Sequence, residues 1–102
     1  MKKKWLFRDE NNKNRFLMRA YAKAHKLGAT DQIEKQWYID YINEYQNFFD
    51  QIATFPLAGK MIEGTTEFYR VKGSGKDSGA IIKYEIIPSD EMVLIFCPED
   101  WI

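Results

Sequence analysis

The chain has 102 residues, of which 45% are hydrophobic and 29% charged, and its 15 basic residues balance 15 acidic ones. This length accommodates one domain, and the composition excludes a disordered chain. No apolar run approaches the roughly 20 residues of a membrane-spanning helix, so no membrane partner is predicted. Cys97 is the single cysteine, which excludes an intrachain disulfide. Without an apolar export signal near the N-terminus, we expect a cytoplasmic protein.

The net charge of zero hides a strong polarity along the chain. Residues 1–30 carry nine Lys and Arg against two acidic residues, whereas residues 31–102 carry six against thirteen. This asymmetry predicts either an electrostatically active surface or internal pairing between the two parts of the chain.

The first predicted element is a short strand at residues 3–8, in which aromatic and other residues alternate weakly. Residues 9–14 are predicted as a polar turn of the residue types that open helices. From residue 15 to residue 27 the apolar residues recur with a helical period. This period predicts an amphipathic helix that ends at Gly28.

A second helix is predicted from residue 31 to about residue 54. Thr30 or Asp31 caps its start, where Asp31 and Glu34 form a capping-box pattern, and Pro56 stops it. About half of its surface is apolar and mostly aromatic: Ile33, Trp37, Tyr38, Tyr41, Ile42, Tyr45, Phe48, Phe49 and Ile52.

After the second helix the hydrophobic period changes to two. A loop is predicted at residues 57–65, and three glycines indicate a flexible hairpin loop at residues 73–79. Strands are predicted at residues 66–72, 80–87 and 92–97. The order β-α-α-β-β-β predicts one α+β domain over residues 1–102. The predicted architecture is a two-layer sandwich, with two N-terminal helices on one face of a mainly antiparallel four-stranded sheet. In this sheet the first strand is expected to lie beside the last.

No arrangement of side chains typical of an enzyme, a metal site or a cofactor site stands out. Gly75-Lys76 lacks the earlier glycine, the hydroxyl residue and the following helix of a phosphate-binding loop. His25 lies on the flank of the first helix, and Cys97 lies in the most apolar strand, where core packing is favoured. One histidine and one cysteine also argue against structural zinc.

The polar side of the first helix carries a basic stripe at helical spacing: Arg15, Arg19, Lys23 and Lys26. Such a stripe can bind a phosphate backbone or an acidic protein. Alternatively, it is a solvated face that the acidic residues of the second helix partly neutralise. The zero net charge disfavours tight nucleic-acid binding.

The aromatic half of the second helix has two interpretations as well. Most of it must be core, because a helix that covers a small sheet needs bulky side chains. Nine large side chains can exceed what four short strands cover, and an excess forms an apolar surface for a protein partner or a second copy. The residues predicted to reach that surface are Tyr38, Ile39 and Phe49.

The order of elements and two local sequences resemble the RelE/ParE toxin superfamily. The two sequences are EFYRVK at residues 67–72 and IIKYEI at residues 81–86. The resemblance implies a cytosolic toxin that acts on ribosome-bound messenger RNA or on a DNA topoisomerase and is neutralised by an antitoxin. For the ribonuclease branch it implies that Arg70, Lys72 and Lys83 stabilise phosphate charge, with Tyr84 nearby.

Our leading hypothesis is a non-catalytic binding protein that docks on another macromolecule, such as a phage- or plasmid-encoded inhibitor or regulator of a host protein. The alternatives are a RelE/ParE-like toxin and a small-ligand-binding domain with a pocket between the second helix and the sheet. Nuclease chemistry predicts a basic sheet face, whereas a docking module predicts an apolar or acidic one.

Overall fold

A computed structural model describes residues 4–25 and 31–98 and shows an α+β fold, as predicted. The helices are α1 (Glu10–His25) and α2 (Asp31–Thr54). The strands are β1 (Lys4–Phe7), β2 (Lys60–Met61), β3 (Glu67–Val71), β4 (Ile81–Ile87) and β5 (Met92–Phe96). Single turns of 3-10 helix occupy Pro56–Ala58 and Pro88–Asp90. Neither described helix is long and apolar enough to cross a membrane.

The five strands form one mixed sheet in the order β1-β5-β4-β3-β2. Strands β2 to β5 pair antiparallel with their neighbours, whereas β1 runs parallel to β5, with Trp5 opposite Val93 and Phe7 opposite Ile95. The first strand therefore lies beside the last, as the order of elements predicts. Strands β1 and β2 form the two edges of the sheet.

The sheet has one strand more than the four predicted, because the predicted loop at residues 57–65 contains β2. This strand places Lys60 opposite Tyr69 and Met61 opposite Phe68. Two residues are too few for an alternating pattern to appear in the sequence.

Helix α1 begins at Glu10, earlier than the predicted start at residue 15. A carboxylate oxygen of Asp9 accepts hydrogen bonds from the backbone amide of Asn12 at 2.9 Å and from its side-chain amide at 2.7 Å. These hydrogen bonds lower the pKa of Asp9 and cap the helix where a turn was predicted. The amide oxygen of Asn12 accepts a hydrogen bond from the backbone of Cys97 at 2.9 Å, which ties α1 to the end of β5. Gly28 lies outside the described residues.

The core lies between the two helices and one face of the sheet. Residues three or four apart on α2 share one side of the helix and pack together. The largest fully buried side chains come from α2, β4 and β5: Tyr41, Tyr45, Phe49, Ile52, Ile82, Tyr84, Val93 and Ile95. Phe16 and Ala20 of α1 complete the cluster. Each such large side chain stabilises the fold by about 1.5–3 kcal/mol relative to an exposed position.

The segment that follows α2 is fixed to the core by Tyr84. The hydroxyl of Tyr84 donates a hydrogen bond to the carbonyl oxygen of Pro56 and accepts one from the amide of Gly59 at 3.1 Å. A Cβ atom at Gly59 would overlap the Tyr84 hydroxyl and lie 2.7 Å from the carbonyl oxygen of Tyr69. The backbone of Gly59 is extended, so only the close approach requires a glycine there.

We therefore expect Gly59→Ala to lower the free energy of unfolding by about 1–3 kcal/mol, the usual effect of overpacking a tight site. Urea denaturation followed by circular dichroism measures this loss. Gly73→Ala is the matched control, because no atom lies within 4 Å of a Cβ added at Gly73. Equal stability of the two variants would contradict the packing described for Tyr84.

Candidate functional site

The basic stripe predicted on α1 lies against the chain itself. Arg15 donates a hydrogen bond to a backbone carbonyl just after β5 at 2.6 Å. Arg19 Nε lies 3.3 Å from a carboxylate oxygen of Asp77, and Lys23 pairs with the other oxygen. Lys26 lies outside the described residues. Within the part of the chain that the structure describes, Arg19 and Lys23 of this stripe therefore pair with the loop at Asp77.

Asp77 is the centre of a buried charge cluster between the β3–β4 loop and both helices. Its carboxylate is 2% exposed and accepts hydrogen bonds from the hydroxyls of Tyr41 at 2.5 Å and Tyr45 at 3.0 Å. Burial alone would raise the pKa of Asp77, but the hydrogen bonds from Lys23, Tyr41 and Tyr45 and the charge of Arg19 lower it to about 2. Burial and the nearby carboxylate raise the pKa of both tyrosines, which therefore stay protonated as donors.

Lys72 anchors the other end of the same loop. Its buried ammonium pairs with Glu44 of α2 and donates to the carbonyl oxygens of Ser74 at 2.8 Å and Lys76 at 2.5 Å. Glu44 also accepts a hydrogen bond from the backbone amide of Lys76 at 2.6 Å. The loop that the glycines predict to be flexible is thus attached to both helices. These charged groups attach the loop to both helices. They also line two surface clefts of about 440 Å³ each, one beside Asp77 and one beside Lys72.

The four residues that the toxin resemblance implies for catalysis are divided between two faces of the sheet. The helix side of the sheet carries Arg70, Lys72 and Tyr84. Lys83 lies on the opposite face, where its Nζ atom is 4.0 Å from a carboxylate oxygen of Glu67. Lys72 is engaged by α2, and the buried hydroxyl of Tyr84 is bonded to the backbone after α2. Nη1 of Arg70 is buried and has no hydrogen-bond partner among the described residues.

The three residues predicted to reach a partner surface lie at different depths. Phe49 is 1% exposed and belongs to the core, where it contacts the rings of Phe7 and Phe16. Tyr38 is half-buried and packs against the core, whereas Ile39 is 39% exposed. These positions therefore do not form one continuous surface.

A groove of about 580 Å³ lies beside β1, between this strand and both helices. Its apolar lining consists of Trp5, Leu6, Phe7, Phe16, Leu17, Ile42 and Phe49. Its polar lining consists of Asp9, Glu10, Lys13 and Gln46. The excess of aromatic residues on α2 is the sequence signal for such a surface. Helix α2 contributes Ile42, Gln46 and Phe49 to the groove, whereas Tyr38 and Ile39 lie outside its lining.

Among residues 4–25 and 31–98, one row of backbone groups on strand β1 has no strand partner. The amides of Lys4 and Arg8 donate to carbonyl oxygens on the β5 side at 3.2 and 2.9 Å. Alternate residues of a strand direct their backbone groups to opposite sides of the strand. Trp5 and Phe7 therefore direct their N–H and C=O groups away from β5, toward the free edge of the sheet. Such an edge is a template for pairing with another chain.

The sheet face opposite the helices combines apolar and charged residues. Leu6 of β1 is 54% exposed on this face. Further apolar residues continue the face across β3, β4 and β5: Val71, Ile81, Ile87, Met92, Leu94 and Phe96. Its lysine in β4, Lys83, lies near the carboxylate of Glu67. This face also carries charged residues, and Leu6 joins it to the edge of β1. The charged residues are Lys4, Arg8, Lys60, Lys83, Glu67 and Glu85.

No family model matches the chain, and comparisons with curated proteins and with solved structures likewise find no match.

Proposed function

We propose that this protein is a non-catalytic docking module that takes up an extended segment of another protein along the free edge of β1. The observation that carries the proposal is the apolar groove beside backbone groups that point away from the sheet. Hydrogen bonds to the edge supply affinity in this mode of recognition, and pockets for alternate side chains supply specificity.

The groove wall is fixed before a partner arrives. The indole N–H of Trp5 donates a hydrogen bond to the carboxylate of Asp50 at 2.8 Å. Edge-on contacts hold the rings of Trp5 and Phe7 against Phe49 at centroid distances of 4.8 and 5.6 Å. A preorganised surface loses less conformational entropy on binding. Trp5 and Phe7 nevertheless remain half-buried, so a partner can still cover apolar area.

The charge distribution favours docking over cleavage of RNA. A nuclease that stabilises phosphate charge needs several cations on one accessible face. Lys72 is paired with Glu44, whereas Lys83 lies on the opposite face of the sheet near Glu67. The cations that the resemblance implies therefore do not share one accessible face. The toxin function remains a prediction from the resemblance.

Selection of displayed random twelve-residue peptides on the folded protein tests the proposed function. Gln46→Trp fills the mouth of the groove from an exposed position, and Gln32→Trp makes the same change on the same helix outside the groove. We expect selected peptides to bind the Gln32→Trp variant like the unmodified protein. Loss of apolar contacts in the groove should weaken binding to Gln46→Trp by ~10-fold or more.

Amide chemical shifts identify where the selected peptides bind. We expect the amides of Trp5 and Phe7 to shift on binding, because they face the added strand. Equal affinity for the two tryptophan variants would contradict the proposal. So would failure to select any peptide.

A further inference from the structure

We infer that the docked segment carries two carboxylate side chains, four residues apart, on either side of an apolar centre. This inference rests on the proposed function and specifies the chemistry of the partner. It derives from the order of charges along β1, which the proposed function does not use.

Two cations flank the free edge of β1. Lys4 and Arg8 lie on the side of the strand that faces away from the helices, with the exposed Leu6 between them. Arg8 places its guanidinium 4.8 Å from the centroid of the Phe96 ring on that face. Neither cation forms a salt bridge with another residue in the ranges 4–25 and 31–98.

The acidic residues next to the strand are engaged in the start of α1. Asp9 accepts both hydrogen bonds from Asn12, and Glu10 lies in the first helical turn. A carboxylate in the first turn is stabilised by the positive end of the helix dipole. Lys13 adds a further cation to the lining of the groove. The edge therefore presents cations that a partner can pair with.

The geometry of strand pairing predicts the sequence pattern of the docked segment from the order of charges along β1. Side chains directly opposite each other on neighbouring strands have Cβ atoms about 4.5–5.5 Å apart, and opposite charges there stabilise the pair. A segment paired with β1 places residues i and i+4 opposite Lys4 and Arg8. Residue i+2 lies opposite Leu6, while residues i+1 and i+3 face the groove beside Trp5 and Phe7. The expected pattern is one acidic residue, three apolar residues and a second acidic residue.

The same geometry disfavours a second copy of this chain as the occupant. An antiparallel pair of β1 strands centred on Leu6 places Lys4 of each copy opposite Arg8 of the other. Like charges directly opposite each other are destabilising. An acidic segment of a different protein fits the edge better.

Three synthetic peptides test the inference: Ser-Glu-Phe-Ile-Phe-Glu-Ser, its Gln counterpart and its Lys counterpart, all with blocked ends. Each sequence is the same in both directions, so one peptide covers parallel and antiparallel pairing. We expect the Glu peptide to bind ~3- to 30-fold more tightly than the Gln peptide at low salt, and the Lys peptide to bind most weakly. The difference in affinity between the Glu and Gln peptides should shrink at about 0.5 M NaCl, because the Debye length falls to about 4–5 Å.

Charge-reversal variants of the protein show which edge of the sheet produces the preference for the Glu peptide. Lys4→Glu should remove most of the preference for the Glu peptide. Lys60→Glu, on the opposite edge of the sheet, makes the same charge change and should leave the preference intact. Equal affinity for the Glu and Gln peptides overturns the inference and leaves the proposed function standing. If none of the three peptides binds, the proposed function fails as well.

Discussion

Replacing Asp77 by asparagine is expected to lower the free energy of unfolding by about 2–3 kcal/mol, because it leaves two partly exposed cations of α1 without their buried counter-charge. Asparagine has the same size and tolerates the left-handed backbone at this position, where φ is 59°. Its amide oxygen can still accept hydrogen bonds from Tyr41 and Tyr45. The loss therefore reports the carboxylate charge opposite Arg19 and Lys23 and not a change of backbone geometry.

Urea denaturation at pH 7 measures this loss. Asp40→Asn is the control, since Asp40 is an exposed carboxylate of α2 and its replacement should change stability by no more than about 0.5 kcal/mol. A loss below about 1 kcal/mol for Asp77→Asn would contradict the assignment of Asp77 as the centre of the loop anchor.

The pH dependence provides a second readout of the same group. The pKa of Asp77 is lowered from its ordinary value of 3.8 to about 2 in the folded protein. The stabilisation that the ionised Asp77 carboxylate provides is therefore complete above pH 3.8 and is lost as the pH falls toward 2. The stability difference between the unmodified protein and Asp77→Asn should narrow over this interval.

The second large effect is expected at Glu44, whose carboxylate neutralises the buried ammonium of Lys72. Glu44→Gln should lower the free energy of unfolding by about 2–3 kcal/mol, because it leaves a buried charge with only carbonyl partners. Lys72→Met should cause a smaller loss of stability, since the Glu44 carboxylate is partly exposed and keeps its hydrogen bond from the amide of Lys76. Methionine also occupies a similar volume in an apolar setting.

A double-mutant cycle checks this asymmetry. The variant with both Glu44→Gln and Lys72→Met should be more stable than Glu44→Gln alone, because it no longer buries an unpaired charge. Additive losses would mean that the two side chains do not depend on each other, which would contradict the anchor described for this end of the loop.

The elements defined by local spacing could be predicted from the sequence. Helix α2 ends at Thr54, as Pro56 predicts, and its aromatic half supplies Tyr41, Tyr45 and Phe49 to the core. The continuous apolar run of β5 predicts its place between two strands. These features depend on neighbours a few residues apart, which periodicity records.

The charge clusters could not be predicted in the same way. Asp77 has partners 32 to 58 residues away along the chain, so no local pattern connects it to Tyr45 or Arg19. The stripe on α1 has the spacing of a solvated or binding surface, whereas its ion pairs depend on where the β3–β4 loop folds back.

From the sequence, a pocket between the second helix and the sheet is predicted only as a ligand-binding alternative, and the position of the groove could not be predicted for a related reason. Its lining combines residues of β1, α1 and α2, and its volume depends on how far the helices lie from the edge strand. The sequence predicts an apolar excess and a short first strand. It does not predict that Trp5 and Phe7 lie at the point where the two meet.

The most direct test of the docking account is amide hydrogen exchange, measured by NMR, on the protein with and without the Glu peptide described above. If the peptide docks along β1, the amides of Trp5 and Phe7 gain protection on binding. Protection at Lys4 and Arg8 should change little, because their amides are already bonded on the β5 side. Protection that appears at β2 or across β3 and β4 instead, with Trp5 and Phe7 unchanged, would contradict docking at the edge of β1.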